Sequence, residues 1–243
     1  MKALILAAGT ASRLRPLTEH TPKSLLKIGD RSLLQRSLDA LTANGIEDFC
    51  IVTGYLHEQI EDFVKTHYPT LKVTFIHNAD YATTNNIYSL WLARPFAEGA
   101  DMLLLDSDLL YDGKIVRRVL DSRDNNVLTL IRHELGMEEI KVIVDQKGDI
   151  RELNKTCNPK EAIGESLGIE RMGREYTTAL YRELDKMMNE EKLVNSFYEL
   201  AFERLIPQGH TFKVLDVSDL FSCELDTVED FENAKSTIPA ELY

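Results

Sequence analysis

The chain has 243 residues, 44% apolar and 28% charged, which excludes a disordered or fibrous protein and leaves room for a buried core. Its 28 basic and 40 acidic residues give a net charge of −12, which argues against a binder of duplex DNA or the RNA backbone. No apolar run approaches the roughly 18–20 residues that span a bilayer, and Cys50, Cys157 and Cys223 are too scattered for a disulfide framework or a zinc site, so a cytoplasmic protein without membrane or nucleic-acid partners is expected.

Residues 2–7 read as a buried first strand rather than a signal peptide, because the apolar stretch is short and runs into Arg13 and Arg15. A long loop follows to about Leu25, then a helical pattern over roughly 31–44 that Asn44-Gly45 would end. Phe49 to Val52 is a second strand, about 56–66 a second helix, and Lys72 to Ile76 a third strand. A third helix is expected from about Asn85 to Phe96, with Ile87, Leu90 and Leu92 on its buried face. Met102 to Leu105 is a nearly continuous apolar run ending in Asp106-Ser107-Asp108, as suits a central parallel strand covered on both faces. Strand and helix alternating at this spacing predict a doubly wound α/β sheet.

The second half is less regular. Val127 to Ile131 and Lys141 to Val144 look like strands, and Gln146 to Asp149 signals a tight turn into Ile150 to Leu153. Helical patterns near 174–188 and 195–207 precede a strand near 212–216 and a last helix after Asp226-Thr227. With no flexible linker, low-complexity tract or repeat, one domain is the simplest organisation.

In open α/β sheets ligands bind beyond the carboxyl ends of the strands. There the chain places Ala7, Ala8, Gly9, Thr10, Ala11 and Ser12, small residues whose amides can approach an anion, together with Arg13, Arg15 and Lys23. Cations beside such a loop suit a polyphosphate, and a solvated basic loop has the same composition. Neither a Walker A loop nor a dinucleotide fingerprint is present. Asp106 and Asp108 point to one side of an extended chain, as hard ligands for Mg2+ or as turn residues. Asp226 is a metal candidate only if the fold brings it near Asp108. Asn85, Asn86 and Ser89 can read a base edge or cap a helix. His20, His57, His77, His133 and His210 lack metal spacing and read as surface or core.

Taken together, Leu6-Ala7-Ala8-Gly9, Ser12-Arg13-Leu14, Pro16-Leu17-Thr18 and Pro22-Lys23 resemble the signature of the sugar-1-phosphate nucleotidyltransferases. The family pattern has a second glycine where this chain carries Ala11. The resemblance implies a Rossmann-like α/β fold: a single nucleotidyltransferase domain with a doubly wound mixed sheet flanked by helices. Residues 1–112 would form its nucleotide-binding half and 113–243 its acceptor half with a C-terminal metal motif. It implies Arg13 and Lys23 as catalytic cations, Asp108 and Asp226 as ligands of Mg2+, and Asp106 among the nucleotide contacts.

Within that superfamily, Thr53-Gly54-Tyr55 and Tyr81 to Leu90 are most similar to small cytidylyltransferases acting on phosphocholine or 2-aminoethylphosphonate. The likeness implies that Gly54, Tyr55, Asn85 and Ser89 hold the cytidine of CTP, and that an ionised phosphate or phosphonate oxygen displaces pyrophosphate without a general base. Lys141, Glu165, Tyr198 and Glu199 are the acceptor-side candidates. The phosphocholine enzymes carry a tryptophan where this chain has Glu138-Glu139-Ile140-Lys141, and Trp91 has core spacing, so only Phe197, Tyr198 and Tyr111 remain for a cage. Glutamates suit a primary ammonium better, which tilts the expectation to an aminophosphonate. A sugar-1-phosphate or inositol-1-phosphate enzyme and a nucleotide-sensing domain are the alternatives, and a homodimer is permitted by the acidic surface.

Overall fold

The first strand, β1 (Lys2–Ala7), divides its side chains between two cores: Leu4 and Leu6 enter one, and Ala3, Ile5 and Ala7 the other. A strand buried on both faces needs cover on both faces. The computed structural model, which describes residues 1–137 and 139–243, winds the chain accordingly. A short ladder of β2 (Lys27–Ile28) and β3 (Arg31–Ser32) leads into α1 (Leu33–Ala43), capped by the Ser32 hydroxyl accepting from the Gln35 amide. Next come β4 (Asp48–Thr53), α2 (His57–His67), β5 (Lys72–His77), α3 (Asn86–Leu92), α4 (Arg94–Ala97) and β6 (Met102–Asp106). Strands β6, β1, β4 and β5 lie parallel in that order, so Ala7, Thr53 and Asp106 finish at one edge. The helix expected from Asn85 to Phe96 is two, because Pro95 has no N–H to continue the ladder and the break falls at Ala93.

The second half adds antiparallel strands to the same sheet. After β7 (Leu109–Tyr111) and α5 (Lys114–Leu120) come β8 (Val127–Ile131), the hairpin of β9 (Lys141–Val144) with β10 (Ile150–Asn154), and β11 (Gly164–Met172). The turn expected at 146–149 closes that hairpin, with the Gly148 amide donating to the Asp145 carbonyl. Strand β11 runs antiparallel to β6, and β8 antiparallel to β11, so β8 ends where β11 begins, at the same edge as Asp106. Among the described residues the sheet has nine strands and is mixed.

Helix α6 (Arg174–Asp185) passes into a wide turn over Lys186–Glu190, and α7 (Glu199–Leu205) starts later than the pattern near 195 predicts. The residues before it are spent on α3: the Tyr198 amide donates to the Asn86 side-chain oxygen, and the Asn85 amide to the Val194 carbonyl. Strand β12 (Lys213–Asp216) pairs with β8, β13 (Ser222–Glu224) with β7, and α8 (Val228–Thr237) ends the fold. A third apolar cluster joins Phe231 of α8 and Ile238 just after it to Leu14, Leu26 and Leu110, which holds α8 against the loop after β1. No helix among the described residues is long and apolar enough to cross a membrane.

Candidate active site

The carboxyl edge of the sheet opens into a cleft of about 1010 Å³. The whole run from Ala7 to Arg13 forms one wall, as does Lys23 from a short turn behind it. Ala11 adopts φ +47°, the left-handed conformation that favours glycine, so the glycine in the related pattern has a backbone reason. The Thr18 hydroxyl and the Leu14 amide both bond the Ala11 carbonyl and keep it there.

Asp108 and Asp226 meet in space although 118 positions separate them. The β7–β13 ladder sets Glu224 opposite Leu109, and the Leu225 amide donates to the Asp108 carbonyl, so Asp226 emerges beside Asp108. Asp226 then opens α8, whose Thr227 hydroxyl and Asp230 carboxylate form a reciprocal cap. Lys23 bridges the pair, its Nζ donating to Asp108 Oδ2 at 2.9 Å and to Asp226 Oδ1 at 2.7 Å. Arg13 donates to the other Asp226 oxygen at 2.6 Å. Burial alone would lower the Lys23 ammonium; the two carboxylates outweigh it and hold its pKa above the usual lysine range. Burial opposes the charge of Asp226 too, yet Lys23 and Arg13 keep its carboxyl below the usual range.

Two hard oxygen donors converging on one cation fit a divalent metal ion. Among the described residues no group of three or more His, Cys, Asp or Glu side chains is arranged to hold one unaided. An ion there would be completed by water and phosphate oxygens, the habit of Mg2+. Glu224, beside this pair, keeps access to solvent, yet the crowding of the cleft walls and the charge of Asp108 push its carboxyl up.

Along the other wall, Asn85 caps α3 by accepting from the Asn86 amide, and Ser89 is held by the buried Asn78 amide at 3.1 Å. Both line the cleft, as do Tyr81 and Asn86. Gly54 and Tyr55, expected to touch the nucleoside, do not line it. A Cβ on Gly54 would lie 2.5 Å from the Ala8 carbonyl oxygen and 2.7 Å from Tyr81 Cβ, and the Tyr55 hydroxyl donates to the Glu19 carbonyl. Gly54 is therefore where two loops of the wall close on each other. Gly54→Ala is expected to part those loops and cost about 1–3 kcal/mol, a fall of roughly 2–10 °C in Tm. An unchanged melting curve would mean the loops are not in contact.

Asp106 faces the cleft with one oxygen accepting from the Tyr198 hydroxyl at 2.9 Å. Burial first, then Asp108, Glu170 and Glu199, raise its carboxyl well above the usual range. Glu199, only 7% exposed, is pushed up to about 7 by burial, and its Oε2 has no hydrogen-bond partner among the described residues. Glu165 pairs with His133 at 2.6 Å at the far end of the cleft. Burial would lower the His133 imidazole, but Glu165 and the Glu134 carbonyl hold it above its ordinary value.

Two acceptor-side expectations are corrected. Lys141 is buried, its Nζ bonded to the Glu139 and Lys155 carbonyls, where it ties two loops together behind the cleft. Tyr198 is wholly buried and acts on the cleft indirectly, its hydroxyl holding Asp106 and its amide holding Asn86. Tyr111 is buried elsewhere and Trp91 is tied to Asp185, so of the proposed aromatics only Phe197 lines the cleft. Glu138 lies outside the described residues, and Glu139 lines the cleft.

His133 and Arg132 were missed as cleft residues. The available signal was their position just past the Val127–Ile131 strand, and using it required knowing that this strand runs parallel to β6.

A profile of the family described as Nucleotidyl transferase matches residues 2–139, more than half of the chain. A CMP-5'-(3-aminopropyl)phosphonate synthase of Streptomyces rubellomurinus is 27% identical over 96% of this chain but 38% of its own length. A choline-phosphate cytidylyltransferase of Streptococcus pneumoniae is 43% identical over 108 residues, 44% of either chain. The chain thus spans less than half of the length of these two relatives in the matched regions. Among solved structures, a CTP:phosphocholine cytidylyltransferase of Streptococcus pneumoniae superposes with a TM-score of 0.81 at 23% identity, over 98% of this chain and 99% of the other, a likeness of fold.

Proposed function

This chain belongs to the nucleotidyl transferase family, and from that premise we propose that it is a Mg2+-dependent cytidylyltransferase, moving CMP from CTP to a small phosphonate or phospho-alcohol and releasing pyrophosphate. The observation that carries the reading is the convergence of Arg13 and Lys23 on Asp108 and Asp226, beside the wall of small residues that Arg13 ends. That arrangement suits phosphoryl transfer, in which positioning and charge neutralisation do most of the work. Relatives named for cytidylyl transfer to aminophosphonates and phosphocholine support the choice of CTP.

In this reading an acceptor oxygen, already ionised, forms the new bond to the α-phosphorus of CTP as the bond to pyrophosphate breaks. Loop amides from 7–13 orient the phosphates, and Lys23 and Arg13 stabilise charge on the oxygens around the reacting phosphorus. Asp108 and Asp226 would hold Mg2+, which when bound supplies Lewis-acid neutralisation of phosphate charge. Asn85, Asn86 and Ser89 would hold the nucleoside, placing the nucleotide in the half formed by 1–112 and the acceptor in the half formed by 113–243.

On the acceptor side, Glu199 and Glu139 have buried carboxylate oxygens without hydrogen-bond partners among the described residues, and Phe197 is the aromatic at hand. Carboxylates reward N–H donors, whereas a quaternary ammonium is best held by several aromatic faces. The acceptor is therefore an aminophosphonate or a similar primary amine.

Pyrophosphate release with Mg2+ across CTP, UTP, dTTP and ATP tests both parts. Each nucleotide would be paired with 2-aminoethylphosphonate, phosphocholine, phosphoethanolamine, inositol-1-phosphate and glucose-1-phosphate. CTP with 2-aminoethylphosphonate is expected to exceed CTP with phosphocholine at least tenfold in kcat/KM. Turnover only with UTP or dTTP and glucose-1-phosphate would overturn the cytidylyl reading and keep the chemistry.

A further inference from the structure

The two carboxylates that would take the metal are engaged by the protein itself. Lys23 Nζ lies between Asp108 and Asp226 at 2.9 and 2.7 Å, and Arg13 occupies the remaining Asp226 oxygen at 2.6 Å. Two negative and two positive charges leave the cluster neutral, so an approaching dication meets little net attraction and must displace a cation first. Lys23 is well sheltered, its side chain 14% exposed, so water screens this pairing weakly.

The backbone around Lys23 is fixed. Ser24 is buried, Leu25 packs on the core, and the Leu26 amide closes the turn on the Lys23 carbonyl. The four-carbon stem above it can swing without moving the turn. A triphosphate in the cleft offers Lys23 and Arg13 alternative anions on the same wall. Once they turn to it, the full negative charge of Asp108 and Asp226 is restored.

We propose that Lys23 is a latch on the metal site: it excludes a divalent ion from Asp108 and Asp226 until phosphate draws it away, so that metal and nucleotide bind cooperatively. The latch rests on the assignment of Asp108 and Asp226 as metal ligands. It adds a second duty to Lys23, distinct from its duty toward phosphate, and makes an opposite prediction for its removal. Coupling of this kind ordinarily amounts to between about 5-fold and 150-fold in affinity.

Titrating the full chain with Mn2+ alone, without nucleotide, and following free Mn2+ by electron paramagnetic resonance reads the latch directly. Lys23→Met keeps the stem and loses the charge, and is expected to bind Mn2+ about tenfold tighter than the parent chain. Lys23→Arg keeps the charge and should stay within about threefold of the parent. Asp108→Asn should erase the gain when combined with Lys23→Met. If Lys23→Met binds no tighter while Asp108→Asn on that background still weakens binding, the latch is refuted and the metal site stands. If Asp108→Asn changes Mn2+ affinity on neither background, the metal assignment fails and the latch with it.

Discussion

Lys23→Ala is expected to reduce turnover about a thousandfold while leaving the far-ultraviolet circular dichroism unchanged. Removing one preorganised donor from a charge-developing site typically costs a factor of 10² to 10³, and Lys23 serves as a full positive charge in a sheltered cleft. The stability cost should be small, on the order of 1–2 kcal/mol against the usual 5–15. Asp108 and Asp226, 29% and 33% exposed, can take water when the ammonium is gone. The two duties of Lys23 then separate within one variant. Chemistry slows because phosphate loses its partner, and metal binding tightens because the carboxylates lose theirs. A misfolded or loosened site would weaken both. Near-normal turnover in Lys23→Ala would remove Lys23 from the mechanism.

The first half of the fold was legible because it is locally written. Strand and helix alternate with clean periods from Lys2 to Asp106, and apart from the short antiparallel β2–β3 ladder the strands there are parallel in the main sheet, so their carboxyl ends lie on the functional edge without further knowledge. Apart from the helix split at Pro95, which is local, the failures share one cause, dependence on long-range contacts. Strand β11 contains three charged residues and a glycine at φ +81° opposite Asp106, so no strand pattern is assigned there until β6 and β8 flank it. His133 looks like a surface residue until β8 is known to end at the cleft. Lys141 and Tyr198 carry the right chemistry for a substrate contact, but burial turns them inward to carbonyls and to Asp106. The nearness of Asp226 to Asp108 depends on the β7–β13 ladder, which no local period announces. The motif around Gly54 does not by itself show that its missing Cβ is required by the close approach of the Ala8 loop and Tyr81.

Asp106 and Asp108 provide the sharpest test of the metal site, because they are two residues apart with similar exposure and have opposite surroundings. Asp108 faces Lys23, and a cation there is matched by a charged carboxylate. Asp106 is pushed toward its neutral form by burial and by Asp108, Glu170 and Glu199, with the Tyr198 hydroxyl on one oxygen. Asparagine has the shape of either side chain without the charge. Asp108→Asn is therefore expected to lower kcat/KM about a hundredfold at fixed Mg2+, and to raise the Mg2+ concentration for half-maximal activity at least tenfold. Loss of one of two hard, charged ligands leaves the ion with Asp226, water and phosphate. Asp106→Asn replaces a group already held toward neutrality, so the Mg2+ requirement should shift by less than about threefold, whatever happens to nucleotide affinity. Measuring activity against Mg2+ for both variants separates charge at the metal from charge nearby. Equal shifts in the two would mean that the cleft senses its summed negative potential and that Asp108 has no privileged bond to the ion.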